Sequence, residues 1–285
     1  LFLPLLTNKL YLEAHFSPIF SNQVVVDSLN YDWGTPVLLD QVENQLAHKK
    51  YDLVAVVHAE TSTGVCNPVE EIGEMVKENG ALYLVDCVTS LGGMNLKMDE
   101  WNIDALYGGT QKCLSCPPGL SPVSFSDRAV EKLMSRKTKV PNWYLDLSMI
   151  IQYWSGTARV YHHTAPINML YGLYQACYNV LDEGLENAIQ RHLQMHQMLA
   201  DELDNLRLEL FVEESARLPM LNAVKIPEGV NDAEIRDRLL KEFHIEIGGG
   251  LGPLSGKIWR IGLMGETAKK ESIHRLMDAF NKILN

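Results

Sequence analysis

The segment YGGTQKCLSCPPG, residues 107–119, sets one lysine, Lys112, among small residues, two cysteines and two prolines. A lysine amine attacks carbonyl carbon and forms Schiff bases, but only when deprotonated, and burial lowers its pKa enough to allow that. A solvated lysine after a strand is the plain alternative. Cys113-Leu-Ser-Cys116 has C-x-x-C spacing, and His58-Ala-Glu60 upstream makes it a faint match to a zinc deaminase signature. Lys112 stands where that signature has its proline, and no second C-x-x-C completes a structural zinc site. A redox C-x-x-C opens a helix, whereas this one runs into Pro117-Pro118. No metal is therefore expected.

Asp86 adds to the lysine reading. It ends the apolar run ALYLVD, which puts a carboxylate at the mouth of a buried strand. A carboxylate there suits a pyridine nitrogen that must stay protonated to withdraw electrons, as in pyridoxal phosphate. A loop or helix-capping carboxylate is the other reading of Asp86. Arg260 lies in KIWRIGLMG, among apolar residues where a charge is costly unless paired. Its guanidinium fork suits a carboxylate, whether a substrate's or that of an internal salt bridge. The adjacent pair His162-His163 is expected to point to opposite faces of an extended strand, which argues against a shared metal. The glycine run from Gly248 to Gly252 is followed by Pro253 and Leu254 where a dinucleotide-binding loop needs a helix. A turn between strands fits it better.

These residues need elements to place them. QVVVDSL reads as a strand, PVLLDQVENQLAHKK as an amphipathic helix, and DLVAVVH as a buried parallel strand. VEEIGEMVKENG is a helix closed by Asn79-Gly80. ALYLVD, IDALYGG and LSPVSFS complete a strand–helix alternation that predicts a mostly parallel α/β sheet. Asp86 and the loop holding Thr61 follow strand carboxyl ends, where open α/β sheets bind ligands. Beyond Pro141 the texture changes. A long helical pattern breaks at Asp182-Glu183-Gly184, and a second α+β unit follows, with a helix started by Asn231 and a last helix over KKESIHRLMDAFNKIL. The expected division is a large domain over 1–182 and a small one over 183–285. The first twenty residues show mixed periodicity and two prolines, and give no clear element.

Composition bounds the function. The chain has 285 residues, 46% hydrophobic and 21% charged, with a net charge of -11. That acidity argues against a nucleic-acid footprint. No apolar run approaches the roughly 20 residues of a membrane span. Five cysteines in this length do not suggest a disulfide framework, so a reducing, intracellular compartment is expected, with peroxisome, mitochondrion and cytosol all open. LFLPLL at the start lacks the basic region of a signal peptide. The chain is expected to begin partway into a longer product or to carry an unusual amino-terminal segment.

The motifs LVDCVTSLGG, GGTQKCLSCPPGL, SRKTK, YHHTAP, LPMLNAV and IEIGGGLGPLSGKIWRIGLMG together resemble the alanine–glyoxylate and serine–pyruvate aminotransferase family. This is a class V branch of the fold-type I pyridoxal-phosphate enzymes, and it includes insect 3-hydroxykynurenine transaminases. The resemblance runs from about Tyr31 to the C-terminus. It implies an α/β fold with a mostly parallel sheet in the large domain and a smaller C-terminal α+β domain. It also implies a transaminase that uses pyridoxal 5'-phosphate and moves an amino group from alanine, serine or 3-hydroxykynurenine to glyoxylate or pyruvate, with ping-pong kinetics.

Carried over residue by residue, the resemblance makes Lys112 the lysine that binds the cofactor and shuttles the substrate's Cα proton. Asp86 becomes the partner of the pyridine nitrogen, and Val88 packs on a ring face. Thr61 stands where the family has a serine on the ring hydroxyl side. Gln111 helps to hold the phosphate. Tyr161 and Thr164 resemble phosphate contacts given by the neighbouring subunit, which implies a homodimer. Arg260 resembles the clamp on the substrate α-carboxylate.

The family pattern has further residues before the stretch that resembles Tyr31 onward. They include a Ser-Gly-x-Gly-type phosphate loop at a helix N-terminus, a ring-stacking aromatic and an arm that crosses the dimer. Residues 1–20 contain no glycine, and Trp33, in Tyr-Asp-Trp-Gly, does not match the stacking position. Two expectations follow: a fragment of a complete enzyme, or a shortened, catalytically impaired or inactive homologue that acts by binding.

Overall fold

In a computed structural model that describes residues 2–6, 25–155, 158 and 160–284, strands and helices alternate through the first half of the chain. The order opens with β1 (Phe2–Leu6), β2 (Val25–Leu29), α1 (Leu39–His48) and β3 (Leu53–Val57). A small ribbon follows, of β4 (Ala59–Glu60) and β5 (Val65–Cys66). Then come α2 (Val69–Asn79), β6 (Leu82–Asp86), β7 (Ala105–Tyr107), β8 (Val123–Phe125) and α3 (Asp127–Met134).

Six of these strands form one sheet in the order β2-β1-β3-β6-β7-β8. Every pairing is parallel except β7 with β8. The strand read from LSPVSFS is thus present but runs antiparallel at the edge. No helix lies between β7 and β8, and a parallel return needs such a crossover. The stretch from 108 to 122 turns back instead, and it carries Lys112. Phe2–Leu6, given no element by the sequence, is an inner strand paired on both sides. Its proline hid it, because proline is rare in strands with two neighbours. The rest of residues 1–20 lies outside the described residues.

The sheet is held by burial on the α1 and α2 side. Val54, Ile72, Tyr83 and Val85 are fully enclosed. The Tyr83 hydroxyl escapes the cost of burial by donating to the Val69 carbonyl at 3.0 Å. Gly80 ends α2 in the left-handed conformation, φ +86°, which glycine adopts without steric penalty.

The second half begins with α4 (Leu147–Ser155), α5 (Ile167–Glu183) and α6 (Leu185–Asn205). The expected helix break falls at Gly184, between α5 and α6. After it come β9 (Leu221–Lys225), α7 (Asp232–Phe243), β10 (Gly248–Gly249), β11 (Ile258–Gly262) and α8 (Lys270–Leu284). Asn231 caps α7 by accepting from the Glu234 N–H. Strands β10, β11 and β9 form an antiparallel sheet, so the glycine run is part of a strand–turn–strand unit. Trp259 stacks on Phe280 in a core closed by Leu199, Leu203 and Leu239. Each such side chain contributes roughly 1.5–3 kcal/mol by leaving water.

Candidate active site

Three parallel strands end level. Val57 of β3 pairs with Asp86 of β6, and Asp86 pairs with Tyr107 of β7. Asp86 is buried at this row. Its Oδ1 accepts the Val88 N–H at 2.8 Å, and its Oδ2 accepts the Tyr107 hydroxyl at 2.8 Å. A buried carboxylate held by two donors points to a fixed function at a strand mouth rather than to a solvated loop.

Lys112 lies on the return loop from β7. The loop is stiff: Ser115 N–H bonds the Lys112 carbonyl at 3.0 Å, Cys116 N–H bonds that of Thr110 at 3.0 Å, and the Thr110 hydroxyl donates to Pro117 at 2.8 Å. Lys112 is half-buried. Burial lowers its pKa, and the nearby Arg260 cation lowers it further, against opposing pulls from Cys113 and Asp86. The amine is thus biased toward the neutral, nucleophilic form. A Cβ on Gly109 would lie 2.9 Å from Val88 Cγ1 and 3.1 Å from Gln111 Oε1, so Val88 and Gln111 converge on one spot beside the lysine.

Arg260 reaches the same crevice from β11. Its Nε donates to the Gly249 carbonyl at 2.8 Å and its Nη1 to the Thr61 carbonyl at 3.0 Å. Burial lowers its pKa, while neighbouring Glu60 pulls the other way. Glu60 Oε1 accepts from the N–H and hydroxyl of Ser62, at 2.9 and 2.6 Å. Among the described residues Arg260 forms no salt bridge; its hydrogen-bond partners are neutral carbonyls. The internal salt bridge weighed for Arg260 is therefore not what holds it. These two bonds engage Nε and Nη1 and do not involve Nη2.

Asp86, Val88, Gln111, Lys112, Arg260 and Thr61 are thus brought together by contacts within one chain. Tyr161 and Thr164 are not. Both are exposed, and their hydroxyls bond each other at 2.8 Å. The adjacent histidines correct an expectation. Residues 160–166 are irregular rather than a strand, so side chains do not alternate. The Nδ1 atoms of His162 and His163 lie 2.7 Å apart, with His162 stacked on Trp143.

Residues 21–261 match the model of the family described as aminotransferase class-V. The chain belongs to that family. Alanine–glyoxylate aminotransferase of Callithrix jacchus is 42% identical to it over 91% of this chain and 63% of its own length. (S)-ureidoglycine–glyoxylate transaminase of Bacillus subtilis is 38% identical over 91% of this chain and 66% of its own length. Among solved structures, alanine–glyoxylate aminotransferase from Nostoc sp. superposes with a TM-score of 0.92 at 43% identity, covering 99% of this chain and 75% of that one. The chain thus has the fold-type I architecture, and it spans a little under two thirds of the length of these curated relatives.

Three features of the crevice escaped the sequence reading: the Tyr107 hydroxyl on Asp86, the buried Glu60 near Arg260, and the contacts between the Lys112 loop and the turn after β11. The first had a signal. Two buried runs that end in Asp86 and Tyr107 pair in register when neighbouring parallel strands end level. The other two join segments far apart in sequence, and no local pattern marks them. All five cysteines are free thiols, and Cys113 donates to the Thr89 carbonyl at 3.2 Å. Among the described residues no helix is long and apolar enough to cross a membrane.

Proposed function

We propose that this chain, a member of the aminotransferase class-V family, is a pyridoxal-phosphate-dependent transaminase that passes the amino group of alanine or serine, or of 3-hydroxykynurenine, to glyoxylate or pyruvate. The observation that carries this is the crevice itself. A lysine biased toward its neutral form lies between a buried, doubly held carboxylate and an arginine with neutral partners. Both named relatives act on glyoxylate, which favours it as acceptor.

The donor set fits the cofactor. Asp86 keeps two oxygens fixed at the strand mouth and would hold the ring nitrogen in its protonated form. Val88 would pack on a ring face, Thr61 would serve the ring hydroxyl side, and Gln111 would help to hold the phosphate. When bound, pyridoxal phosphate supplies an aldehyde that condenses with amines and a protonated ring that takes up the electron pair left at Cα. Arg260 holds the substrate α-carboxylate with the part of its fork that the Gly249 and Thr61 carbonyls leave open. Lys112 Nζ, biased toward its neutral form by burial and by that cation, takes the Cα proton of the amino donor and later returns a proton to Cα of the acceptor.

Tyr161 and Thr164 belong in this reading to the site of a second copy, giving a homodimer. The support is the face of α5. Ile167, Tyr171, Tyr174, Tyr178 and Leu181 share one side at helical spacing and are each more than half exposed. The division into a large domain over 1–182 and a small one over 183–285 is kept as part of the proposal.

The test is a donor screen. The protein is given pyridoxal phosphate, glyoxylate and each donor in turn, and glycine is measured. Alanine or serine should yield glycine, and Lys112→Ala should abolish it. Protein that binds the cofactor yet makes no glycine from any donor would contradict the proposal.

A further inference from the structure

Ser115 lies three residues beyond Lys112 and holds a left-handed backbone, φ +56°. That conformation costs a residue with a Cβ roughly 1 kcal/mol or more unless its surroundings enforce it. The enforcing element is the turn after β11. Ser115 Oγ accepts the Glu266 N–H at 2.8 Å. Gly265 has φ +53°, and a Cβ there would run into Ser115 Oγ and lie 2.7 Å from the Cys113 carbonyl. The two backbones are pressed together with no room for a side chain. The turn is itself held from behind by α6. His192 is fully buried, and its Nε2 accepts the Gly265 N–H at 2.9 Å. Its Nδ1 lies 2.6 Å from the Ala188 carbonyl, which can only accept. The proton is therefore on Nδ1 and Nε2 is bare, a single neutral tautomer. Arg191 holds the other side of the same residue. Its Nη1 donates to the Gly265 carbonyl at 2.7 Å and to that of Ala268 at 3.2 Å, while Glu183 pairs with its fork.

We infer that His192 is a positioning residue for Lys112, acting through Gly265 and Ser115, an inference that rests on the reading of Lys112 as the reacting amine. The turn follows directly on β11, which carries Arg260, so one clamp sets both the burial of the lysine and its distance from the arginine. Those are the two influences that bias the Lys112 amine toward neutrality. The opposing groups, Cys113 and Asp86, lie on its own loop and at the strand mouth. The charged groups that act on His192 are Arg191 and Glu183, and burial holds it neutral by lowering its pKa. Loosening the clamp hydrates Lys112 and draws its pKa back toward that of an ordinary lysine.

The experiment reads the lysine without the cofactor. The full chain is labelled with trace acetic anhydride across a range of pH, and the extent at Lys112 is followed by peptide mass spectrometry. In the unmodified protein the midpoint lies below that of surface lysines. In Ser115→Ala and His192→Phe it should rise by about one pH unit, a tenfold loss of neutral amine at a fixed lower pH. His192→Gln, whose amide oxygen can accept the Gly265 N–H, should keep the original midpoint. Circular dichroism confirms folding, and if His192→Phe does not fold, the exposed Ser115→Ala carries the test. Coincident midpoints in the folded variants and the unmodified protein would overturn the inference. Failure of the transaminase reading is seen separately, as absence of glycine in the donor screen.

Discussion

The Tyr107 hydroxyl donates to Asp86 Oδ2 at 2.8 Å, from the residue that pairs with Asp86 across the parallel ladder. The contact fixes the carboxylate plane. Tyr107→Phe keeps the ring and removes the donor, leaving Oδ1 held by Val88 N–H. A hydrogen bond to a charged group is worth about 1.5–3 kcal/mol. Transamination kcat should therefore fall roughly tenfold or more with little change in thermal stability. An unchanged kcat would show that Asp86 needs no such support.

Arg260→Lys retains the charge and loses the fork. With Nε and Nη1 bonded to the Gly249 and Thr61 carbonyls, a planar guanidinium still presents donors to a carboxylate, whereas an ammonium on a flexible stem cannot meet all three demands. KM for the amino donor should rise roughly tenfold, and kcat should change less. Steady-state kinetics with alanine separates the two effects; a loss confined to kcat would contradict the carboxylate clamp.

How much of this was legible before folding depends on where the signal lay. Asp86 and Arg260 stood out because each breaks an apolar run with a charge, and Lys112 because it is a lone cation among small residues after one; strand order then brings Asp86 and Lys112 to the carboxyl end of the sheet. Gly80, Gly184 and Asn231 marked helix ends through local backbone chemistry, which sequence carries directly. The antiparallel β8 and the inner strand at Phe2–Leu6 were hidden because pairing partner and direction are non-local. The approach of His163 to His162 followed from an irregular backbone that a strand assumption could not describe. His192 carries no local signal on its long helix; its meaning comes from Gly265, which lies on another element.

Asp104 anchors the opposite end of the sheet. It accepts from Tyr83 N–H at 2.8 Å, from the Ser126 hydroxyl at 2.7 Å and from Arg128 Nε at 3.0 Å, with Arg128 Nη2 closing the pair. Burial alone pushes its carboxyl up, but the bonds from Arg128, Ser126 and Tyr83 outweigh this and hold it below the ordinary 3.8. A folded-state value below the unfolded one means stability that is present above the unfolded pKa and is lost as pH falls through the folded one. Asp104→Asn should cost about 1–3 kcal/mol in urea unfolding near neutral pH. The gap should narrow as pH falls below the ordinary 3.8 and through the lowered folded-state value. A gap independent of pH would assign the loss to packing instead.

Gly265 and Gly256 both have positive φ, at +53° and +71°, but a Cβ on Gly256 meets nothing within 4 Å. Gly256→Ala should lose only the backbone term, about 1 kcal/mol. Gly265→Ala adds a collision with Ser115 and Cys113 and should lose roughly 2 kcal/mol more. Paired thermal melts check the difference, and equal losses would mean that the turn and the Lys112 loop separate easily.

The central claim is that Lys112 is the amine that takes the cofactor. The direct measurement adds pyridoxal phosphate to the full chain, reduces with borohydride and locates the modified residue by peptide mass spectrometry. One dominant label is expected, on Lys112, that disappears in Lys112→Ala and is weakened in Tyr107→Phe. Labels scattered over surface lysines, with Lys112 unmodified, would contradict it.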